Sequence, residues 1–390
     1  MTDPFVKKTY YTMTLDPVHV GTGGYRLGRV DNTIIREPGT NLPKIPGSSI
    51  SGATRAYTAM AIQNENFEIP KKTSEGWVVD YKKYKLWKYQ LPDYAFLENG
   101  AKIKYLSEDK AIIKPNSDGP AIKKDKDGKD VYLSCAGKGA DEGEGHCGEP
   151  DCGVCVPFGF SKKGNSFQGL AQFFDARILL FPVHSMIGPV WITSESILRE
   201  HNISIKLTDW GKFKQLNASA NHTKLNFGWL MLEEESNGSD SSELSKISTC
   251  LKGIPDNIMN RLFLVSDKVF SRIVNDNLEV RTSVAIDPAT GAAEEGALFT
   301  YEAIPRSTIM WFDVVYNKPE YFRINGQELK KNNDSSADTE KDNGSSAGTD
   351  WIKSNVEKGL RYLESLGVGG MNTRGMGRLK VFMEGSDENS

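Results

Sequence analysis

The sequence predicts an α+β fold, and three observations carry that reading. Segments with strand-like apolar patterns recur from one end of the chain to the other, and two segments carry good helical patterns. Strands and helices do not alternate as strict βα units, which a parallel sheet would require. Such interleaving favours a sheet of ferredoxin-like type with helices packed on it.

Lys7 to Leu15 alternates, with Tyr10, Thr12 and Thr14 opposite Tyr11, Met13 and Leu15, as a half-buried strand does. A glycine-rich loop, His19 to Gly47, follows. Ser48 to Ile62 reads as a helix, with Ser48 or Ser49 as N-cap and Ile50, Ala53, Tyr57 and Ala61 down one side. Strand, glycine loop and capped helix together present amides and a helix N-terminus to an anion. From Gln63 to Asp151 the pattern weakens into lysine-rich, aromatic and then charged, glycine-rich sequence, so residues 63–156 read as a long insertion.

Phe167 to Val183 regains strand character, and its apolar run predicts a central, buried strand. Ile254 to Phe270 reads as helix. Glu279–Ile286 and Ala297–Ile304, joined by turn-rich Asp287–Gly296, form a long hairpin within 275–305. Thr308 to Tyr316 is a further strand. Residues 331–350 have almost no apolar content to offset the entropy of ordering, and a disordered loop is expected there.

The last forty residues are the most informative. An amphipathic helix runs into Gly367, Gly369, Gly370, Gly375 and Gly377, interspersed with Arg374 and Arg378, and a short apolar strand ends at Val381. Backbone that approaches a polyanion needs residues without Cβ, so that amide groups can converge on phosphate oxygens. Arginine in such a turn adds bidentate charge.

With 390 residues the chain has ample material for a core. Met1 to Thr12 has no apolar signal-peptide core and no stretch approaches a membrane span, so a cytoplasmic protein without a membrane partner is expected. The net charge of −3 argues at first sight against a nucleic-acid partner, but three segments (125–151, 332–350 and 384–390) together carry −12. The rest therefore carries +9 and suits phosphate binding through local patches.

Of five cysteines, four crowd into residues 135–155, which points to metal rather than to a disulfide framework. Cys147, Cys152 and Cys155 have the spacing of thiolates that share one tetrahedral Zn²⁺, and His146 and Cys135 compete as the fourth ligand. Nothing in the spacing suggests a water-bearing position, so a structural clip for the insertion is expected. Cys250 is isolated.

Six blocks resemble, in order, the RAMP superfamily of CRISPR proteins, and within it the repeating backbone subunit of type III-B (Cmr) RNA-targeting effector complexes. They are His19-Val-Gly-Thr-Gly-Gly, Arg29-Val-Asp-Asn-Thr-Ile-Ile-Arg-Glu37, Lys44-Ile-Pro-Gly-Ser-Ser-Ile-Ser-Gly-Ala-Thr-Arg55, Asp175 to Ser185, Ile286–Gly291 with Gly296–Glu302, and the C-terminal glycine loop. A single glycine loop is weak evidence, whereas six ordered blocks are specific. The resemblance implies one RAMP domain over 1–390, of modified ferredoxin-like, RNA-recognition-motif type. It also implies copies stacked in a helical filament along one guide CRISPR RNA, beside other subunits of the complex, with the hairpin as a thumb pushed into the guide–target duplex. Metal-dependent cutting of complementary target RNA at regular intervals is implied as well.

On that resemblance Asp31 is the cleavage residue, holding Mg²⁺ or Mn²⁺ or orienting the attacking 2′-OH. An Asp31 that is only a turn residue, or pairs with Arg29 or Arg36, is the plainer alternative. His19 is a secondary candidate as general base, and Tyr301 and Glu302 as groups near the cut nucleotide. Guide binding is expected at Lys44, Ser48, Ser49 and Arg55, and at Gly369, Gly370, Asn372, Thr373, Arg374 and Arg378, with Arg29, Arg36 and Arg281 as further contacts. Phosphate contacts carry no sequence information, which suits any guide. The hairpin tip, Ala289 to Gly296, consists largely of small residues, and a bulky wedge is not evident there. The alternatives are an architectural guide-binding subunit with an idle Asp31, and a stand-alone CRISPR RNA processing endonuclease dependent on histidine.

Overall fold

The computed structural model describes residues 3–23, 30–66, 71–73, 76–80, 102–105, 110–114, 135–136, 146, 148, 150–162, 164–216, 222–235, 247, 253–324, 326–329 and 347–383. The chain forms two compact units, each assembled from three separated stretches. One contains Met1–Lys8, Ser51–Phe173 and Val314–Tyr362, and the other Thr9–Ile50, Phe174–Asp313 and Leu363–Ser390.

A large mixed sheet draws most of its strands from the second unit. Its strands run, in spatial order, Lys224–Phe227, Leu230–Glu234, Lys212–Gln215, Leu262–Val265, Gly188–Ser194, Ala176–Ser185, Ile309–Asn317, Phe5–Thr14 and Leu379–Phe382. Most pairs are antiparallel, but Gly188–Ser194 runs parallel to Leu262–Val265, with Trp191 opposite Leu262 and Ser194 opposite Val265. The first and last strands of the chain are neighbours, with Tyr11 opposite Phe382 and Thr14 opposite Leu379. That pairing delivers the C-terminal glycine stretch to the loop that follows Thr14. Phe213, Phe227 and Phe263 pack edge-to-face at 5.4 to 5.7 Å and fill one end of the core.

Two strand and helix assignments from the sequence are corrected. Phe167–Val183 is not one strand but parts of three: Asn165–Gln168, Ala171–Phe173 and Ala176–Ser185. One break falls at Gly169, where an added Cβ would lie 2.5 Å from the Pro157 carbonyl oxygen. Ile254–Phe270 is not one helix. It divides into a short helix Asp256–Met259, the strand Leu262–Val265 and the helix Asp267–Asp276. All four residues of Leu262–Val265 are buried, and a run apolar on both faces lacks the alternation that separates strand from helix. Val269, Phe270, Ile273 and Val274 bury one face of the helix that leads into the hairpin.

The hairpin pairs Glu279–Ile286 with Ala293–Ala303, and its return strand begins four residues earlier than the turn composition suggests. Asp287 closes the tip: its carboxylate accepts from the Ala289 amide at 2.8 Å and the Thr290 hydroxyl at 3.0 Å.

In the first unit the helix Gly47–Asn66 contributes residues 51–66 and packs on Ala347–Arg361. The approach is close at Gly359, where a Cβ would lie 2.3 Å from both the Thr54 carbonyl oxygen and the Thr58 hydroxyl. Within the insertion, Lys71–Thr73, Gly76–Asp80, Lys110–Lys114 and Lys102–Tyr105 form a four-stranded antiparallel sheet in that order. The loop expected at 331–350 lies mostly outside the described residues, and its last four residues instead open the helix Ala347–Arg361. No helix among the described residues is long and apolar enough to cross a membrane.

Candidate nucleic-acid interface

The hairpin base, the loop after the first strand and the C-terminal glycine turn meet in the second unit. Residues 31–34 lie along the hairpin's return strand. The Asn32 amide donates to the Thr300 carbonyl at 3.0 Å, and the Glu302 amide donates back to the Asn32 carbonyl at 3.0 Å. Asp31 is thereby set beside Thr300. Its Oδ2 accepts from the Thr300 amide at 2.8 Å and from the Thr300 hydroxyl at 2.8 Å, while its own amide donates to that hydroxyl at 2.9 Å. These bonds, the Thr300 amide foremost and then its hydroxyl, hold the Asp31 carboxyl below the usual carboxylate range. Oδ1 makes no hydrogen bond among the described residues. Asp31 therefore presents an exposed anion with one free oxygen.

Arg36, one expected alternative partner of Asp31, is engaged elsewhere; Arg29, the other, lies outside the described residues. Arg36 pairs with Glu302 at 2.6 Å, donates to Asn275 at 2.9 Å and caps the Ile34 carbonyl at 3.1 Å. Glu302 is 8% exposed, and its second oxygen accepts the Ile34 amide at 3.3 Å. The pair locks the 31–36 segment to the hairpin.

His19 is a strut between three elements. Its Nδ1 lies 2.6 Å from the Glu302 carbonyl, so the proton sits on Nδ1. Its ring packs edge-to-face on Tyr301 at 5.6 Å, and its carbonyl accepts the Gly370 amide at 2.9 Å. Gly369 has φ +86°, and a Cβ there would lie 2.5 Å from the His19 carbonyl oxygen. Gly377 is equally confined, with φ +96° and the Val368 carbonyl oxygen 2.5 Å from its would-be Cβ. These glycines serve close backbone packing, a different reason from the one their number suggests.

The exposed part of the turn is narrower. Met371 (φ 64°) opens a short 3₁₀ turn, Asn372–Arg374, whose residues are all exposed. The amides of Met371, Asn372 and Thr373 find no backbone or side-chain acceptor among the described residues. The Arg374 guanidinium likewise makes no ion pair among them. Arg281 joins turn and hairpin: it sits opposite Tyr301, pairs with Glu279 at 2.7 Å and donates to the Gly375 carbonyl at 3.3 Å.

Two other expected phosphate contacts are held by protein carboxylates. Arg378 binds Asp16 in two-pronged fashion, which lowers the Asp16 carboxyl and raises the guanidinium. Lys44 pairs with Asp175 at 2.6 Å, and the other Asp175 oxygen accepts the Gly47 amide at 2.8 Å. Burial would push the Asp175 carboxyl up, but the Lys44 and Gly47 hydrogen bonds hold it low. Asp175 thus caps a helix that begins at Gly47, ahead of Ser48 and Ser49, whose hydroxyls form no hydrogen bond among the described residues.

Arg55 belongs to the first unit, among the cysteines. Its guanidinium donates to the Cys135 carbonyl at 2.8 Å, the Gly159 carbonyl at 2.8 Å and His146 Nδ1 at 3.0 Å. Cys147 lies outside the described residues.

Sequence reasoning missed Thr300, Asp175, Asp16 and Asn275 as partners. Each is an ordinary polar residue whose role comes from a pairing across a long stretch of chain. Only Thr300 and Asp175 fall inside the blocks that carry the resemblance.

The chain belongs to the RAMP superfamily, whose family model matches residues 13–380. A 166-residue stretch is 25% identical to the CRISPR system Cmr endoribonuclease Cmr4 of Pyrococcus furiosus, over 39% of this chain and 56% of that protein. The match thus spans little more than half the length of that relative. Two solved type III-B Cmr-beta structures, in the apo state and bound to cognate target RNA, share the fold at a TM-score of 0.51. They are 14% and 13% identical, with 97% of this chain and 98% of each of theirs covered.

Proposed function

We propose that this chain is a guide-RNA-binding backbone subunit of a type III-B CRISPR effector complex, and that it cuts complementary target RNA through Asp31. The observation that carries the reading is the Asp31 carboxylate, fixed to Thr300 by one oxygen and open at the other, at the base of an exposed hairpin. The guide CRISPR RNA, the target strand, neighbouring subunits and further copies of this chain in a filament are its partners, and the cytoplasm its compartment.

The hairpin supports the reading in a way its tip composition does not suggest. Val284 and Leu298 face each other across the strands and are 43% and 62% exposed. Alternation puts Leu298 on the same side of the strand as Thr300, two residues on. An apolar pair beside the Asp31 anchor suits a wedge that parts stacked bases and leaves one nucleotide at the carboxylate. The ribose 2′-OH of that nucleotide can then attack the adjacent phosphorus as the bond to the 5′-oxygen breaks, with much of the rate coming from enforced in-line geometry.

A carboxyl held low is a weak base, so orienting the nucleophile or binding a cation suits Asp31 better than proton abstraction. Its free oxygen fits a single contact to a hard divalent ion whose remaining ligands are water and phosphate. Among the described residues, Asp31 belongs to no group of three or more metal-ligating side chains. When bound, Mg²⁺ or Mn²⁺ would offset charge developing on the phosphate. His19 and Glu302, tied into backbone and ion-pair contacts, act as scaffolding. Arg374 and the 371–373 amides are the phosphate contacts of the turn.

The test is a reconstituted complex given labelled complementary RNA, with Mg²⁺ or EDTA. A ladder of evenly spaced products that disappears with EDTA and with Asp31→Ala supports the reading. Intact assembly with an unchanged ladder in Asp31→Ala would leave an architectural role only.

A further inference from the structure

Three buried cysteines of the first unit take no part in the chemistry above. Cys135, Cys152 and Cys155 are 0%, 5% and 0% exposed, and their sulfurs lie within 4.8 Å of one another. Thiolates around one tetrahedral Zn²⁺, each at about 2.3 Å from the ion, stand about 3.8 Å apart, so a small adjustment closes the set.

Three further features set this group apart from incidentally buried thiols. The Cys155 amide donates to the Cys152 sulfur at 3.2 Å, a bond that stabilises negative charge on sulfur. Cys135 sits at φ 56°, a left-handed conformation that a non-glycine residue keeps only where the surroundings enforce it. The Arg55 guanidinium donates to the Cys135 carbonyl, so a fixed cation sits beside the site. The sequence around Cys135, residues 125–151, is charged and poor in apolar residues. Gly153, between the other two cysteines, is pressed into the protein: a Cβ there would lie 2.8 Å from Ile62 Cδ1 and 2.9 Å from Asn355 Oδ1.

We infer that Cys135, Cys152 and Cys155 hold a structural Zn²⁺, with Arg55 as its positioning residue, and that His146 is not a ligand. Arg55 can only donate, so His146 Nδ1 accepts at 3.0 Å and the neutral ring carries its proton on Nε2. Neither nitrogen then has a lone pair for the metal. The fourth position falls to a donor beyond these groups. The ion ties Cys135 to Cys152 and Cys155, beside the helix that carries Arg55.

The experiment is metal analysis of the purified full-length chain, with cysteine and arginine variants alongside. About one Zn²⁺ per chain is expected, falling at least tenfold in Cys152→Ser and Cys135→Ser and unchanged in His146→Ala and Cys250→Ser. Should a cysteine variant fail to fold, the wild-type chain decides. Co²⁺ exchanged into it should give thiolate-to-cobalt charge transfer with tetrahedral ligand-field bands. Arg55→Lys keeps the charge but loses the fork, and should hold zinc about tenfold more weakly with guide affinity unchanged. Wild-type protein without metal, or with two of these sulfurs in a disulfide, overturns the site. Loss of zinc in His146→Ala overturns the ligand assignment, and loss of guide binding with normal zinc in Arg55→Lys overturns the role of Arg55.

Discussion

Asp31 and Thr300, 269 residues apart in the chain, are joined by three hydrogen bonds that use the amide and hydroxyl of Thr300 and both the amide and carboxylate of Asp31. The lock fixes the carboxylate to the hairpin base, so movement of the hairpin carries Asp31 with it. Thr300→Val keeps the shape and the strand but removes the hydroxyl. Target cutting should slow about tenfold, roughly 1.4 kcal/mol in the barrier, with little change in RNA affinity. Thr300→Ser should restore most of the rate, as measured by single-turnover cleavage.

Arg374 and Arg378 look equivalent in the sequence and are not. Arg378 is held by Asp16, whereas the Arg374 guanidinium makes no ion pair among the described residues. Arg374→Ala should weaken guide binding and lower the dependence of log affinity on log salt by roughly one phosphate contact. The same change at Arg378 should act mainly on thermal stability. Fluorescence anisotropy across a salt series, run beside thermal melts, separates the two.

Acid should remove the contribution of the Asp16–Arg378 pair to stability. The hydrogen bonds and charge of Arg378 hold the Asp16 carboxyl below its ordinary value of 3.8. A carboxyl lowered in the folded state contributes stability that is fully present above the unfolded value and is lost as pH falls through the folded one. Wild type should therefore melt above Asp16→Asn at neutral pH, and the gap should close as pH drops below about 4. A gap that widens in acid contradicts the assignment.

Glu302 is a scaffold residue in this account. Glu302→Gln leaves the part-buried Arg36 guanidinium without its counter-charge and should cost on the order of 3 kcal/mol, seen as a lowered melting temperature. Arg36→Met should cost a similar amount. A Glu302 variant that folds with wild-type stability yet has lost cutting would return it to the chemistry.

Much of the fold was legible because burial writes itself into local pattern: the first strand, the hairpin and the two long helices all carry it. Leu262–Val265 was not, since a strand buried on both faces loses its alternation. The residues of the candidate site were mostly named in advance, but their division of labour was not. Lys44, Arg378 and Arg55 read as free cations until Asp175, Asp16 and the Cys135 carbonyl appear beside them. Likewise Gly369 and Gly377 are needed for close packing against carbonyls remote in sequence, a demand that no local window contains.

The central claim is that Asp31 does chemistry on a bound RNA strand. The most direct test is single-turnover cutting by a reconstituted complex carrying Asp31→Asn, with guide and target affinities measured on the same preparation. The account predicts affinities within about twofold of wild type and cutting slowed by roughly a thousandfold or more. Cutting at the wild-type rate, at the same evenly spaced positions, would contradict it.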